Sequence, residues 1–403
     1  MGSPAGASDA EVLVAGGGVA GVAAAVAAAR AGCRVLLAER GKELGGIGVR
    51  GMLRTICGLY LNGATEPEET LNNGLAREFV SLLRSRDPHR KAIRTGKVFV
   101  LPYVDAELKQ VLESLCRQEK DLTVSLQTAV NSVVAEAGQV TAVTADQQGG
   151  GLAIKPRVVI DCTGTGEAAV LAGAGYDLAP PGEIQMAGYT LRLGGLRGQD
   201  ESLPVKVPFL LAQAVSSGAL APVMRFTTFS SSDEPGEGFL KFSADGTGGP
   251  EREERTRVEA ARAVSVLAEQ LPAFRDAVIT GSSQSVLDRE GRRIQGEYVL
   301  TEDDVLSARK FPDSAARNAW PVELWDRTRG TVYRYVPAGE YYEIPFRCLR
   351  VKGFSNLLVA GRCISVSHEA LGSTRVMGAC MAMGDAVGRA AAELVRNGNY
   401  PSF

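Results

Sequence analysis

Glu11-Val-Leu-Val-Ala15, then Gly16-Gly17-Gly18-Val19-Ala20-Gly21, an alanine-rich run to Ala31 and Arg34-Val-Leu-Leu-Ala38 ending on Glu39 follow one another near the start of the chain. They read as a strand, a glycine turn, a helix and a second strand. G-x-G-x-x-G carries weight as a dinucleotide fingerprint in this setting, with a strand before, a helix after and an acid roughly 20 residues on. Gly16 allows the tight turn out of the strand, Gly18 lets the backbone approach a pyrophosphate, and Gly21 lets the helix pack close to the sheet. The helix start at Val19 and Ala20 offers unpaired N–H groups and a partial positive charge to phosphates. Glu39 is placed to accept hydrogen bonds from ribose hydroxyls, and an acid there disfavours a 2′-phosphate. The motif alone does not separate NAD from FAD.

Val12 to Ala29 is continuously apolar or small, which also fits a signal-peptide core or a membrane helix. Against both readings, Asp9 is the only charged side chain in Met1 to Ala10, and Gly16, Gly17, Gly18 and Gly21 interrupt the run. With no second long apolar run, we expect a soluble protein that makes no membrane contact. The 403 residues, 45% of them apolar, suffice for a large core and two interleaved domains. A formal net charge of −2 carries no nucleic-acid footprint. Cys33, Cys57, Cys116, Cys162, Cys348, Cys363 and Cys380 are odd in number, scattered and never form C-x-x-C. They suit reduced thiols in a cytoplasm better than a disulfide framework or a zinc site. The only histidines are His89 and His368, so no metal centre is expected.

Further along, residues 70 to 86 read as a helix with Leu71, Leu75, Phe79 and Leu82 on one face. Val98 to Tyr103 reads as a strand and Asp105 to Lys120 as a helix with Leu108, Val111, Leu112 and Leu115 inward. Strand-like runs follow at Leu122 to Leu126 and Gln139 to Asp146, with a turn at Gly149-Gly150-Gly151. Pro156 to Asp161 is an apolar strand. The middle of the chain alternates, with strand patterns at Met186 to Leu193, Phe239 to Ser243 and Arg293 to Leu300. The charge run Glu251 to Arg257 reads as the solvated face of a helix that reaches Gln270. Asn356 to Ala360 is a buried strand and Val376 to Arg396 a long helix. The expected architecture is α/β, a Rossmann-like nucleotide domain (residues 1–180 and 351–403) with an inserted α+β substrate domain (181–350).

Several blocks, in order, resemble the FAD-dependent oxidoreductase family with the glutathione-reductase-like fold. They are Gly16 to Glu39; Leu44-Gly45-Gly46; Asp161-Cys-Thr-Gly164-Thr-Gly166; Arg289 to Val305; and Tyr342-Glu-Ile-Pro345 through Gly361-Arg362 to Arg375. This resemblance implies bound FAD, with contacts at Gly45, Gly46, Thr163, Gly164, Gly361 and Arg362, and further contacts at Val19, Ala20, Arg40 and Val130. Two departures stand out. Wider relatives usually carry Gly-Asp where Gly361-Arg362 stands, and often Ser where Gly291 stands.

A two-electron flavin reaction needs a fixed isoalloxazine, stabilisation of charge at N1 and C2=O, and a group for the substrate proton. The helix beginning near Val376 would supply the second, with Gly378 permitting close approach; alternatively Gly378, Gly384 and Gly388 serve helix packing alone. His368, expected in a loop after Ser365, suits the third role. Arg375 would bind a substrate carboxylate or the flavin C2 carbonyl, and Arg292 would clamp an anionic substrate if it, rather than Arg293, faces the site. Tyr341, Tyr342 and Trp320 read as core, Cys57 as a buried small hydrophobe, and His89 as a loop residue. The expected activity is hydride transfer between flavin and a small organic substrate. A monooxygenase or oxidase, a structural flavin and an NAD-only protein are the alternatives, and homo-oligomer formation is left open.

Overall fold

The computed structural model describes residues 6–147, 150–198, 200–232, 234–246 and 248–401. Its centre is a parallel sheet in which every strand except the outermost is a short apolar run buried on both faces, as parallel sheets covered by helices require. In chain order the parts are β1 (Val12–Ala15), α1 (Val19–Arg30), β2 (Val35–Glu39), α2 (Asp105–Arg117), β3 (Leu122–Leu126), β4 (Val158–Asp161), β5 (Leu357–Val359) and α3 (Met377–Asn397). The spatial order is β5-β4-β1-β2-β3. Val12 pairs with Val35 on one side and with Val158 on the other. The apolar run Val12 to Ala29 is thus divided between a strand and a helix, and no helix among the described residues is long and apolar enough to cross a membrane.

Small residues bring α3 onto α1. A Cβ on Gly384 would lie 2.1 Å from the Ala20 carbonyl oxygen, and one on Gly388 2.3 Å from that of Ala24. The alanine-rich surface of α1 is therefore matched by glycines a turn apart on α3, and the two backbones nearly touch.

A second sheet orders Gly6–Ser8, Gly150–Ile154, Gln139–Gln147 and Thr128–Glu136. Thr128–Glu136 and Gly150–Ile154 carry too many polar or glycine positions to show as strands in sequence, so Gly150 and Gly151 belong to a strand rather than to a turn. Gly149 lies outside the described residues. The helix expected from residue 70 begins at Leu75, because Asn72 is tied by two hydrogen bonds to the backbone of Arg317, and Leu82 is only half-buried while Leu83 is core.

The inserted region has an antiparallel sheet, ordered Thr228–Ser231, Gly238–Ala244, Ala187–Gly194, Val278–Ser282. With helices Leu203–Ser216 and Pro250–Gln270 it forms a core of its own running from Ala187 to Val286. Apolar residues beyond that point, among them Ile294, Phe311, Tyr342 and Ile344, join the large core instead, so this packing unit ends near Val286. Of Arg293 to Leu300 only Arg293–Ile294 is strand, paired with Tyr176–Asp177. The charge run is not wholly solvated. Arg252 is buried and its Nη1 donates to Asp288 at 2.6 Å, while Glu253 accepts from the Val286 amide.

Candidate functional site

The turn after β1 has the shape its glycines allow. Gly16 adopts φ +101°, and a Cβ there would lie 2.6 Å from the Cys162 carbonyl oxygen; one on Gly21 would lie 1.8 Å from that of Gly16. Gly18 differs, since a Cβ on it would meet nothing within 4 Å. It is the N-cap of α1 and brings no side-chain cap, so the first-turn amides keep their hydrogen-bonding capacity. Gly45 and Gly46, both at positive φ, lie against this turn, with the Gly45 amide on the Gly17 carbonyl at 2.8 Å. The buried Glu39 carboxylate accepts from the amides of Gly17 (2.6 Å) and Gly41 (2.7 Å), which holds it at the end of β2 beside the turn. An open backbone cradle at a helix N-terminus, with an acid at its rim, fits the adenosine pyrophosphate half of a dinucleotide.

The other cofactor candidates surround the end of β4. Buried Asp161 accepts from the Thr163 amide, the Thr163 hydroxyl and the Ala169 amide, and so shapes the Thr163-Gly164 turn. Gly164 faces Arg362, whose guanidinium also donates to the Asp288 carbonyl and links the nucleotide domain to the inserted region. Gly361 has φ +90° and lies against Ala20. Val130 sits half-buried in Thr128–Glu136 next to a bulge. Arg40 is exposed and pairs with Glu167. Gly378 is occupied by protein: a Cβ there would lie 2.4 Å from the Gly58 carbonyl oxygen, and its amide donates to Cys57. Cys57 packs beside Val98, Val100 and Trp320, and burial pushes its thiol up to about 12.

His368 is not in a loop. It opens a short helix, His368–Thr374, whose N-cap Ser367 accepts from the Ala370 amide. This places the imidazole Nδ1 2.8 Å from Oε1 of Glu290, a carboxylate with 0% side-chain exposure. Glu290 also pairs with Arg293 at 2.5 Å and accepts from the Gln185 amide. The hydrogen bond to Glu290 raises the imidazole pKa above its ordinary value, and burial opposes it without cancelling it. Of the two neighbouring arginines, Arg293 joins this group, whereas Arg292 donates to the Thr165 carbonyl at 2.8 Å and lies over Tyr176. Arg292 thus has different partners from Arg293, and of the two only Arg293 is joined to Glu290 beside His368.

Arg375 caps the same short helix and donates to the Glu323 carbonyl at 3.0 Å. Gly372 makes that approach feasible, because a Cβ there would lie 2.8 Å from the same oxygen. Around Glu323 the structure gathers Trp320, Trp325, Tyr333, Lys241 and Arg289, none of which carried a sequence motif for this role apart from Arg289 within a family-like block. Tyr342 is core, bonded to Asn318 and Ser373, but Trp320 reaches the site through Glu323.

Residues 11–402 match the family described as FAD dependent oxidoreductase. No curated protein matches the sequence. Among solved structures, BexE, studied for oxidation during BE-7585A biosynthesis, is 16% identical, with 96% of this chain and 63% of that one covered at a TM-score of 0.53. CabE, an aromatic hydroxylase from angucycline biosynthesis, is 14% identical, with 96% and 63% covered at 0.50. A geranylgeranyl bacteriochlorophyll reductase-like protein from Thermoplasma acidophilum is 14% identical, with 97% and 79% covered at 0.48. The chain spans less than two thirds of the length of BexE or CabE, and likeness at these identities concerns the α/β fold.

Proposed function

Because the chain belongs to the FAD-dependent oxidoreductase family, we propose that it transfers a hydride between the flavin N5 and a small organic substrate, with His368 handling the substrate proton. FAD, when bound, supplies the two-electron chemistry. The chain's own residues do the rest. The Gly16 to Gly21 turn and the start of α1 hold the pyrophosphate, and Glu39 the ribose. Gly45, Gly46, Thr163, Gly164, Gly361 and Arg362 would line the remainder of the cofactor path. The five-stranded parallel sheet and the region inserted into it support a fold of glutathione-reductase type.

The observation that carries the assignment is the contact between His368 and Glu290. A buried carboxylate on Nδ1 fixes the ring and favours its protonated form, leaving Nε2 to exchange a proton. His368 therefore acts as an acid when substrate is reduced and, deprotonated, as a base when substrate is oxidised. Anaerobic screening of metabolites for bleaching of the flavin band near ~450 nm, followed by stopped-flow reduction of His368→Ala, tests this. An unchanged reduction rate in that variant would remove His368 from the chemistry.

The likeness of fold to the hydroxylase CabE favours a second reading, in which reduced flavin reacts with dioxygen. Rapid reoxidation in air with oxygenated product or peroxide would select it.

A further inference from the structure

Lys241, Arg289 and Arg375 come from three separate parts of the chain, strand Gly238–Ala244, the segment after Val286 and the end of His368–Thr374. They converge on one carboxylate. Glu323 accepts from the indole N–H groups of Trp320 (3.3 Å) and Trp325 (3.1 Å) and from the Tyr333 hydroxyl (3.2 Å). Arg375 stands 4.0 Å from it and balances its charge. Glu290, the other carboxylate that influences Arg375, is already engaged by Arg293 and His368.

Lys241 and Arg289 are then left without a counter-charge. Arg289 lies 3.6 Å from the centre of the Trp325 ring and donates to the Met186 carbonyl. Lys241 lies 4.8 Å from the same ring and, among the described residues, has neither a hydrogen-bond acceptor nor an ion pair. Buried Nε of Arg375 is also without a partner among them. Both leftover groups are half-buried, where an uncompensated charge is costly. Burial and repulsion from Arg289 pull Lys241 down to about 8, burial and repulsion from Arg375 pull Arg289 down to about 9, and Glu323 offsets each only in part. The surrounding walls are indole, phenol and thiol (Trp320, Trp325, Tyr333 and Cys57), suited to a carbon skeleton rather than to a hydrated ion.

We infer that this cluster takes the substrate through a carboxylate held by Lys241 and Arg289, so that the enzyme acts on a small organic acid. The inference rests on the reading above that a substrate is oxidised or reduced here. A carboxylate between an ammonium and a guanidinium satisfies both charges and supplies acceptors for their unspent donors. Arg375, already committed to Glu323, positions rather than clamps.

FAD-loaded protein titrated with acetate, benzoate and succinate, and with acetamide, benzamide and succinamide as neutral counterparts, tests this through the flavin absorbance spectrum and equilibrium dialysis. At least one acid should bind saturably, with its amide weaker by about tenfold or more. Lys241→Met or Arg289→Met should weaken that acid by about tenfold with FAD retained, and Lys241→Arg should restore most of the affinity. Acid and amide binding alike, no acid binding at all, or acid binding indifferent to both Met substitutions would each overturn the inference. So would a Lys241→Met protein whose ligand-free flavin potential falls while its acid affinity stays unchanged, since the lysine would then serve the flavin alone. Protein that cannot take up FAD would fail the underlying reading. A yellow, reducible protein indifferent to acids fails only the inference about the acid.

Discussion

Nδ1 of His368 lies 2.8 Å from Oε1 of Glu290, although the two are 78 positions apart in the chain. One sits at the start of a short helix behind β5, the other at the edge of the inserted region. The contact therefore reports on whether the two parts of the molecule are correctly docked as well as on the charge of the imidazole.

Replacing Glu290 with Gln removes the main cause of the raised imidazole pKa, so the His368 midpoint should fall. The pH dependence of flavin reduction, or a proton NMR titration with only His89 as the second signal, checks this. Stability follows the same sign. A histidine whose folded pKa is raised contributes fully below its unfolded value, and that contribution disappears as pH rises through the folded one. The gap in Tm between wild type and Glu290→Gln should thus narrow on the alkaline side without closing, because the variant also loses the Glu290–Arg293 ion pair. A midpoint that stays put would sink the coupling.

His368→Gln should retain FAD and lose about 10²- to 10⁴-fold in the rate of flavin reduction, the usual share of general acid–base catalysis. Stopped-flow absorbance under anaerobic conditions measures it. Loss of FAD in this variant would instead mark the residue as structural.

Gly18 of the first turn and Gly384 of α3 should divide by consequence. Gly18→Ala, with φ −69° and open space around its Cβ, should leave the apoprotein as stable as wild type yet weaken FAD binding. Gly384→Ala forces a Cβ to 2.1 Å from the Ala20 carbonyl oxygen and should cost stability by about 1–3 kcal/mol. Urea unfolding of the apoprotein and fluorescence titration with FAD separate the two. Equal destabilisation by both would contradict the cradle.

Arg292→Ala should lose about 1 kcal/mol, one side chain to backbone hydrogen bond, with turnover unchanged. Arg293→Met should strand the buried Glu290 and disturb the pH profile. Turnover that collapses in Arg292→Ala but survives Arg293→Met would reverse the assignment.

Much of the scaffold was legible. The β1 to β2 unit, α2 and α3 announce themselves because each buries a continuous apolar run or stripe, and strand and helix periods show in local spacing. The strand Thr128–Glu136 did not, since an edge strand with polar residues on its solvent side has no apolar rhythm. The charge run at Glu251 to Arg257 misled for a related reason. Nothing local tells that Arg252 will find Asp288 and Glu253 the Val286 amide.

The sequence by itself determined the nucleotide cradle. The backbone shapes at Gly16, Gly18 and Gly21 depend on the presence or absence of a single Cβ, which is a property of the residue and its immediate neighbours. Only the tertiary structure decided who meets whom around His368 and Glu323. Glu290 is brought to His368 and Glu323 to Arg375 by packing between segments 78 and 52 positions apart, while Arg293, three positions from Glu290, joins them and Arg292 does not. These surroundings then set the charges: burial pulls the Lys241 ammonium down, whereas the Glu290 hydrogen bond, against burial, pulls the His368 imidazole up.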